Sequence, residues 1–522
     1  MFYKISSTIQ YPRWETERYK KLDKYDRLLD GTFYDHLAYA FYDELKPGTQ
    51  DAIPIIERRP SAQFRLPRMV ARWTSRKLFA GRHAPRVRHP DTDTSAQIES
   101  FLDSMGFWPT MLEAAYYGSV GAVAVTFRLN PEPSLKVWRA KYCEPTFSDD
   151  GGLTRLRIHY VTSAQALRKM GAEGLESNES YWFIRDYLSD REVTYAPVAH
   201  RDWNPVEGFQ EEGKSLTEWK TYEHGLGFVP GHWFTNLAGG DAPDGACTWA
   251  DAIPNSIEID YTMSQMGRGV RYNAAPQLVI KGQVLNGDVV RGPMNYIHLE
   301  ADKKSDDGSL MGSSASLLEM SGGGMEASLR LIDHLRNMAL EQIAASRKDP
   351  EKLKGPMSGR AMEFLDEDSD DLVMELRSHY GYLGALPLSA KLIRATDGPE
   401  TGNLSLHWPR LFQPTPDDLA SMIPALVMAA KPLVEPQAAG ADGVVPPVDP
   451  EQAKGLLSPE QARTYLVTNM DIHNLETDVG GEPPKETPPS PPSSDEEGGE
   501  AVEKVGPMWN IHEPIKGPYS TK

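Results

Sequence analysis

NSIEIDYTMSQMGRGVRY at 255–272 and MEASLRLIDHLRNMALEQIAASR at 325–347 are the two stretches on which the fold turns. In the first, Ile259, Met263, Met266 and Val270 are spaced 4, 3 and 4; in the second, Leu331, Leu335 and Met338 are spaced 4 and 3. Those intervals gather each set into one narrow seam of an α-helix, because residues three and four apart share a face. Between the helices, 274–323 is short and rich in glycine, with strand-like pieces at 277–281, 296–301 and 316–320. Neither seam has much apolar sequence beside it, so the pattern predicts burial against neighbouring copies of the chain.

Downstream, 346–356 reads SRKDPEKLKGP. Proline ends the helix there, and Arg347, Lys348, Lys352 and Lys354 make the segment a basic loop. A third, longer helix is expected from 358 to about 396, kinked near Gly384 and Pro387. Glu363, Glu367, Asp371 and Glu375 recur every fourth residue along it, which stacks them as one acidic stripe. Like charges at that spacing cost a few tenths of a kcal/mol per pair. The stripe is therefore either a solvated face or the lining of a water-filled passage in which negative charge is useful.

Working outward to the N-terminal side, the first 240 residues mix helices and strands. Charged 15–29 has a helical pattern, and 66–80 reads as a basic amphipathic helix. In the latter, Met69, Trp73 and Lys77 lie on one side and Leu66, Val70 and Leu78 on another. Helices at 95–105 and 108–117 follow, each opening beside a capping residue or a proline. Strands rich in aromatic and β-branched residues are expected at 123–128, 135–140, 155–161, 181–187, 193–195 and 228–236. Helices followed by a run of antiparallel strands indicate an α+β domain. At the other end, 433–450 is rich in Pro, Ala and Gly and reads as a long loop. The segment 474–522, which includes PPKETPPSPPSSDEEGGE at 483–500, lacks apolar periodicity and is expected to be a disordered acidic tail.

Composition narrows the function. The 522 residues hold 55 Lys and Arg against 74 Asp and Glu, a formal charge of −19, which argues against a monomer that neutralises phosphates over a basic face. Apolar residues make up 40% and charged residues 25%, as in ordinary soluble proteins. The most apolar stretch, 112–127, is shorter than the roughly 20 residues a membrane span needs, and no signal-peptide pattern opens the chain. Cys143 and Cys247 are too few for a disulfide framework or a four-thiolate zinc site.

Several motifs match in form and fail in chemistry. GFQEEGKS at 208–215 fits a phosphate-binding loop, but Glu207, Glu211 and Glu212 would face the phosphates. The following LTEWKTYEH alternates like a strand and opens no helix, so a charged hairpin loop is the better reading. Asp366, Asp368 and Asp370 begin like a calcium loop, yet Asp371 stands where glycine is needed and Arg377 where a bidentate glutamate is needed. GLGFVPG at 225–231 is one residue too long for a dinucleotide fingerprint and leads into a strand. His224 and His232 have no third ligand at a metal-binding spacing, and Ser119 has neither nucleophile elbow nor partner. No metal, cofactor or enzymatic activity is expected.

The order of these parts resembles a tailed-bacteriophage portal protein from about Ser61 to Asp471. The matching pieces are FWPTMLEAAYYGSVGAVAV at 107–125, GFVPGHWFTN at 227–236, IPNSIEIDYTMSQM at 253–266 and KGPMSGRAMEFL at 354–365. Ser358, Gly359, Arg360, Ala361 and Met362 resemble the opening of the family's long helix, with Met362 where leucine is commoner. The resemblance implies a dodecameric ring around a DNA channel at one capsid vertex, in the virion. It divides the chain into an N-terminal helical arm (1–60), wing (61–250), stem helix 1 (251–273), clip (274–323), stem helix 2 (324–346), tunnel loop (347–357), long kinked wing helix (358–403), crown (404–473) and tail (474–522). Implied partners are double-stranded DNA, the terminase large subunit, head–tail adaptors, and major capsid and scaffolding proteins. Residue chemistry agrees with a sliding channel. Glu363, Glu367, Asp371 and Glu375, repeated around a ring, would repel the duplex, while Arg347, Lys348, Lys352 and Lys354 would form a positive collar that touches it, unless they are simply solvated. The alternatives are another minor head protein, or a nucleotide-binding enzyme using Lys214 and Ser215.

Overall fold

A computed structural model describes residues 2–12, 15–129, 133–209, 211, 213–274, 277–281, 283–284, 299–300, 314–318, 323–344, 369–396, 398, 401–409 and 411. The helices are α1 (Phe2–Ser6), α2 (Glu17–Asp30), α3 (Leu66–Phe79), α4 (Thr92–Ser104), α5 (Phe107–Gly118), α6 (Ala164–Lys169), α7 (Ile253–Ala274) and α8 (Gly323–Gln342). A further helix occupies 369–377, continues as a π-helical segment over Ser378–Ala385 and ends as Leu386–Ala395. The architecture is mixed α and β.

Local chemistry sets the helix ends. The Thr16 hydroxyl accepts the Tyr19 N–H at 3.1 Å and opens α2, and Gly31, with φ 79°, closes it in the left-handed region that suits glycine. In α3, Leu66, Val70, Ala71 and Leu78 are buried while Arg72 and Arg76 are exposed, the division its 3.6-residue period dictates. α5 brings Phe107, Met111 and Ala114 into the same core.

Two antiparallel sheets follow. The smaller runs Gly231–Thr235, Ala122–Arg128, Ser134–Arg139, with Trp233 opposite Ala124 and Val125 opposite Val137. The larger runs Glu218–Glu223, Arg191–Tyr195, Ser180–Tyr187, Leu153–Ser163, Cys143–Phe147, and Val198–Ala199 adds to Ser180–Tyr187. Cys143–Phe147, which periodicity did not mark as a strand, contains Pro145. Proline cannot donate to a ladder, and this strand sits at the sheet edge, where that omission is tolerated.

α7 and α8 pack side by side in opposite directions. The Asn255 amide donates to Gln342 Oε1 at 3.0 Å at one end, and at the other Gln277–Lys281 pairs antiparallel with Ser314–Leu318. Gln283–Val284 pairs with Leu299–Glu300 inside that ribbon. Within one chain the two helices bury only part of each seam. Ile332, Ala339 and Leu340 form the buried side of α8, with buried Ile343 just past its end, and Ile253, Ile257, Ile259 and Tyr261 form that of α7. Of the seam residues, Ile259 is buried and Leu335 half-buried, whereas Val270, Leu331 and Met338 stay exposed. α8 also stops at Gln342, short of the expected 347.

The N-terminal segment is part of the main core. Ile5, Leu22, Leu29, Phe33 and Phe41 pack in the same cluster as the smaller sheet and the last helix. Ionic contacts reinforce this. Arg18 grips Asp244 through Nε and Nη2 at 2.7 and 2.8 Å, and Lys141 meets Asp23 and Asp26 at 3.1 Å each.

Candidate nucleic-acid interface

Of the acidic stripe, Asp371 and Glu375 lie on the helix that begins at 369, so the anchoring of that helix decides where their charges face. Over 369–377, Ser369, Leu372, Val373 and Leu376 are buried, and Asp371, Met374 and Glu375 point outward. Asp371 and Glu375 thus share one solvent face, as their spacing requires. Asp370 belongs to a different side and forms an ion pair with Lys77 of α3 at 2.7 Å. Buried Arg377 rests its guanidinium 4.7 Å above the Trp408 ring, and burial pulls it down to about 10. Glu363, Glu367, Arg347, Lys348, Lys352 and Lys354 lie outside the described residues.

The π-helical segment is where the helix is clamped to the smaller sheet. Tyr380 is fully buried, stacks on Phe234 with centroids 6.2 Å apart, and donates its hydroxyl to Asn236 Oδ1 at 3.1 Å. Asn236 in turn donates to Ala246 O at 2.7 Å and Thr248 Oγ1 at 2.8 Å, so its buried amide is used on both sides. His232 Nε2 donates to Leu383 O at 2.8 Å, and burial holds this imidazole down at about 4, neutral at pH 7. Lys391 donates to Gly231 O at 2.7 Å, and burial lowers it to about 8. The irregularity expected near Gly384 and Pro387 is this widened turn, which aligns Tyr380, Leu383 and Lys391 with one sheet edge.

Other motif residues have structural roles. Gly208–Phe209 pairs with Trp203–Asn204 as a short hairpin, and Lys214 ion-pairs with Glu211 instead of reaching for a phosphate. The strand Glu218–Glu223 follows, in place of a helix. His224 Nδ1 accepts the Leu226 N–H at 3.2 Å, and His232 is committed to Leu383. Cys143 and Cys247 are free thiols, both pushed up by burial. Among the described residues no group of three or more His, Cys, Asp or Glu is placed to hold a metal ion, and no helix is long and apolar enough to cross a membrane.

A cationic surface that spacing alone did not mark as a site lies on α3. Its solvent side lines an open groove of about 590 Å³ with Arg65, Arg68, Arg72, Trp73 and Arg76. The sequence signal is the run 58–90, which holds ten Lys and Arg residues and neither Asp nor Glu.

No family model matches the chain, and no curated protein does. Among solved structures it is similar to a chain in the neck of an empty GTA particle computed with C6 symmetry, at 13% identity and a TM-score of 0.35. That match covers 74% of this chain and 90% of the other. It is similar also to a chain in the virion of a native gene transfer agent particle, at 12% identity and a TM-score of 0.33, covering 81% and 92%. At those scores the fold described above rests on this chain's own elements.

Proposed function

We propose that the chain is a portal subunit: a non-enzymatic building block of a ring through whose centre double-stranded DNA enters and leaves a capsid. The observation that carries this reading is the antiparallel α7–α8 pair with its β-ribbon at one end, set between the sheets and a long helix clamped by its π-helical segment. The pair serves as the stem, the ribbon as the clip that receives terminase and then head–tail adaptors, and 347–357 as the tunnel loop. Exposed Asp371 and Glu375 support the repulsive half of the channel chemistry, because nothing on their own helix covers them. In a ring their repeated charge keeps the duplex off the wall, while Arg347, Lys348, Lys352 and Lys354 supply a narrow attractive collar. The enzyme alternative loses support from the pairing of Lys214 with Glu211 and from the strand that follows.

Negative-stain microscopy of the purified full-length chain tests this directly. Rings with a central hole are expected, and sedimentation far above a single 58.1 kDa chain. A sharp monomer boundary, persisting when scaffolding and capsid proteins are co-expressed, overturns the reading. Replacing Lys348, Lys352 and Lys354 together by alanine should lower DNA packaging or retention with ring assembly intact.

A further inference from the structure

On its solvent side α3 carries Arg68, Arg72 and Arg76 at intervals of four, opposite buried Val70, Ala71 and Thr74. At 1.5 Å rise per residue, their stems span about 12 Å of helix. Lys77, the next residue, is matched by Asp370. The three arginines form no ion pair among the described residues, and the Nε of Arg68 is shielded from water without a hydrogen-bond partner there. Like charges stacked this way repel, and α3 lies in a 33-residue run (58–90) without a carboxylate, in a chain whose overall charge is −19. Among the described residues no carboxylate offsets that repulsion.

We propose that the face formed by Arg68, Arg72 and Arg76 is a binding site for the phosphate backbone of duplex DNA. This goes beyond the channel reading, which gives α3 no role and needs no contact there. A rigid helix with regularly spaced guanidiniums matches a regular polyanion, and arginine suits phosphate oxygens through its planar fork. Single strands are held largely by stacking of bases on aromatic rings. Here Trp73 is half-buried and its ring is covered by the Lys77 ammonium at 4.8 Å, so that platform is taken. Arginine clusters also hold acidic peptides, whose carboxylates carry no fixed spacing, whereas the row here is regular. The large apolar side chain exposed in the groove is Met69, at 38%, on a surface otherwise lined by cations and half-buried rings.

The test uses the full-length chain and a labelled 30-base-pair duplex, with fluorescence anisotropy read from 50 to 200 mM salt. Each neutralised phosphate adds about −0.9 to the slope of log affinity against log salt, so three contacts make the wild type lose about 40-fold more affinity than R68Q/R72Q/R76Q over that fourfold range. The corresponding triple lysine variant keeps the charge and should keep most of the slope. If the triple glutamine variant does not fold, as judged by circular dichroism, Arg72→Gln and Arg76→Gln singly should each reduce the slope by about 0.9. Equal slopes and affinities for wild type and glutamine variants overturn the proposal, as does capture of a polyglutamate peptide without capture of DNA. Microscopy of the same samples separates the two readings. Absent rings with the slope difference intact sink the portal subunit alone, and rings without a slope difference sink this site alone.

Discussion

Gly384→Ala probes the clamp that aims the long helix. A Cβ built at Gly384 would lie 2.3 Å from Phe234 Cε1 and 2.4 Å from Cδ1, against the 3.5–4.0 Å at which carbon atoms normally rest. Phe234 is 1% exposed and stacked on the fully buried Tyr380, whose hydroxyl is tied to Asn236, so the ring has nowhere to go. Overpacking of this kind costs about 1–3 kcal/mol, and overlap of more than 1 Å belongs at the upper end. The alanine regains about 1 kcal/mol of helix propensity. The net expectation is about 1–2 kcal/mol of destabilisation, read as a fall of a few degrees in the midpoint of thermal unfolding followed by near-UV circular dichroism. A second variant gives a sign that mere glycine flexibility would not. Phe234→Ala alone should cost about 3–5 kcal/mol through its cavity, and adding Gly384→Ala should then recover part of that loss, because the new methyl fills space the ring has vacated. A stabilising or neutral Gly384→Ala, or strict additivity in the double variant, would refute the packing argument.

Other outcomes follow from the buried charges. Asp260, 4% exposed, accepts the Phe64 N–H at 2.6 Å and the Tyr34 hydroxyl at 2.9 Å, yet burial raises its carboxyl to about 6. The folded state therefore holds this proton more tightly than the unfolded chain, so the contribution is fully present below about pH 4 and lost as pH rises through 6, by about 3 kcal/mol. Asp260→Asn should remove that slope when urea midpoints are compared between pH 4 and 7, and parallel curves for the two proteins would count against it. Lys141→Met takes one cation from Asp23 and Asp26, both under a tenth exposed and left with Arg27 and Arg139 respectively, and should cost about 1–3 kcal/mol, with hydrogen exchange in α2 rising first. Asp26→Asn in the same background should return part of the loss, and a Lys141→Met protein as stable as wild type would show the cluster to be dispensable.

Much of this fold is written in periodicity. The apolar side of α3, the ends of α2, α4 and α5, and the alternation of the smaller sheet's strands follow from residues a few positions apart, whose geometry the backbone itself fixes. The same rule put Asp371 and Glu375 on one face. It is silent where a feature depends on distant partners. Leu331 and Met338 stay exposed within one chain because α7 covers the neighbouring stripe of α8, a choice made by the hairpin's rotation. Asp370 and Lys77, nearly three hundred residues apart, meet because two helices cross, and Asn236 becomes a hub because Tyr380, Ala246 and Thr248 converge on it.

From the order of residues alone came the mixed α and β class, the helix–ribbon–helix succession, and the failure of the 208–215 motif, each decided by local backbone geometry and side-chain chemistry. Only three-dimensional packing decided which face of α7 and of α8 is covered, how the π-helical turn is locked onto the smaller sheet, and that a row of arginines on α3 is left without counter-charge among the described residues. The reason is physical: periodicity records which residues share a face, whereas what that face meets depends on loop closure and on side chains far away in the chain.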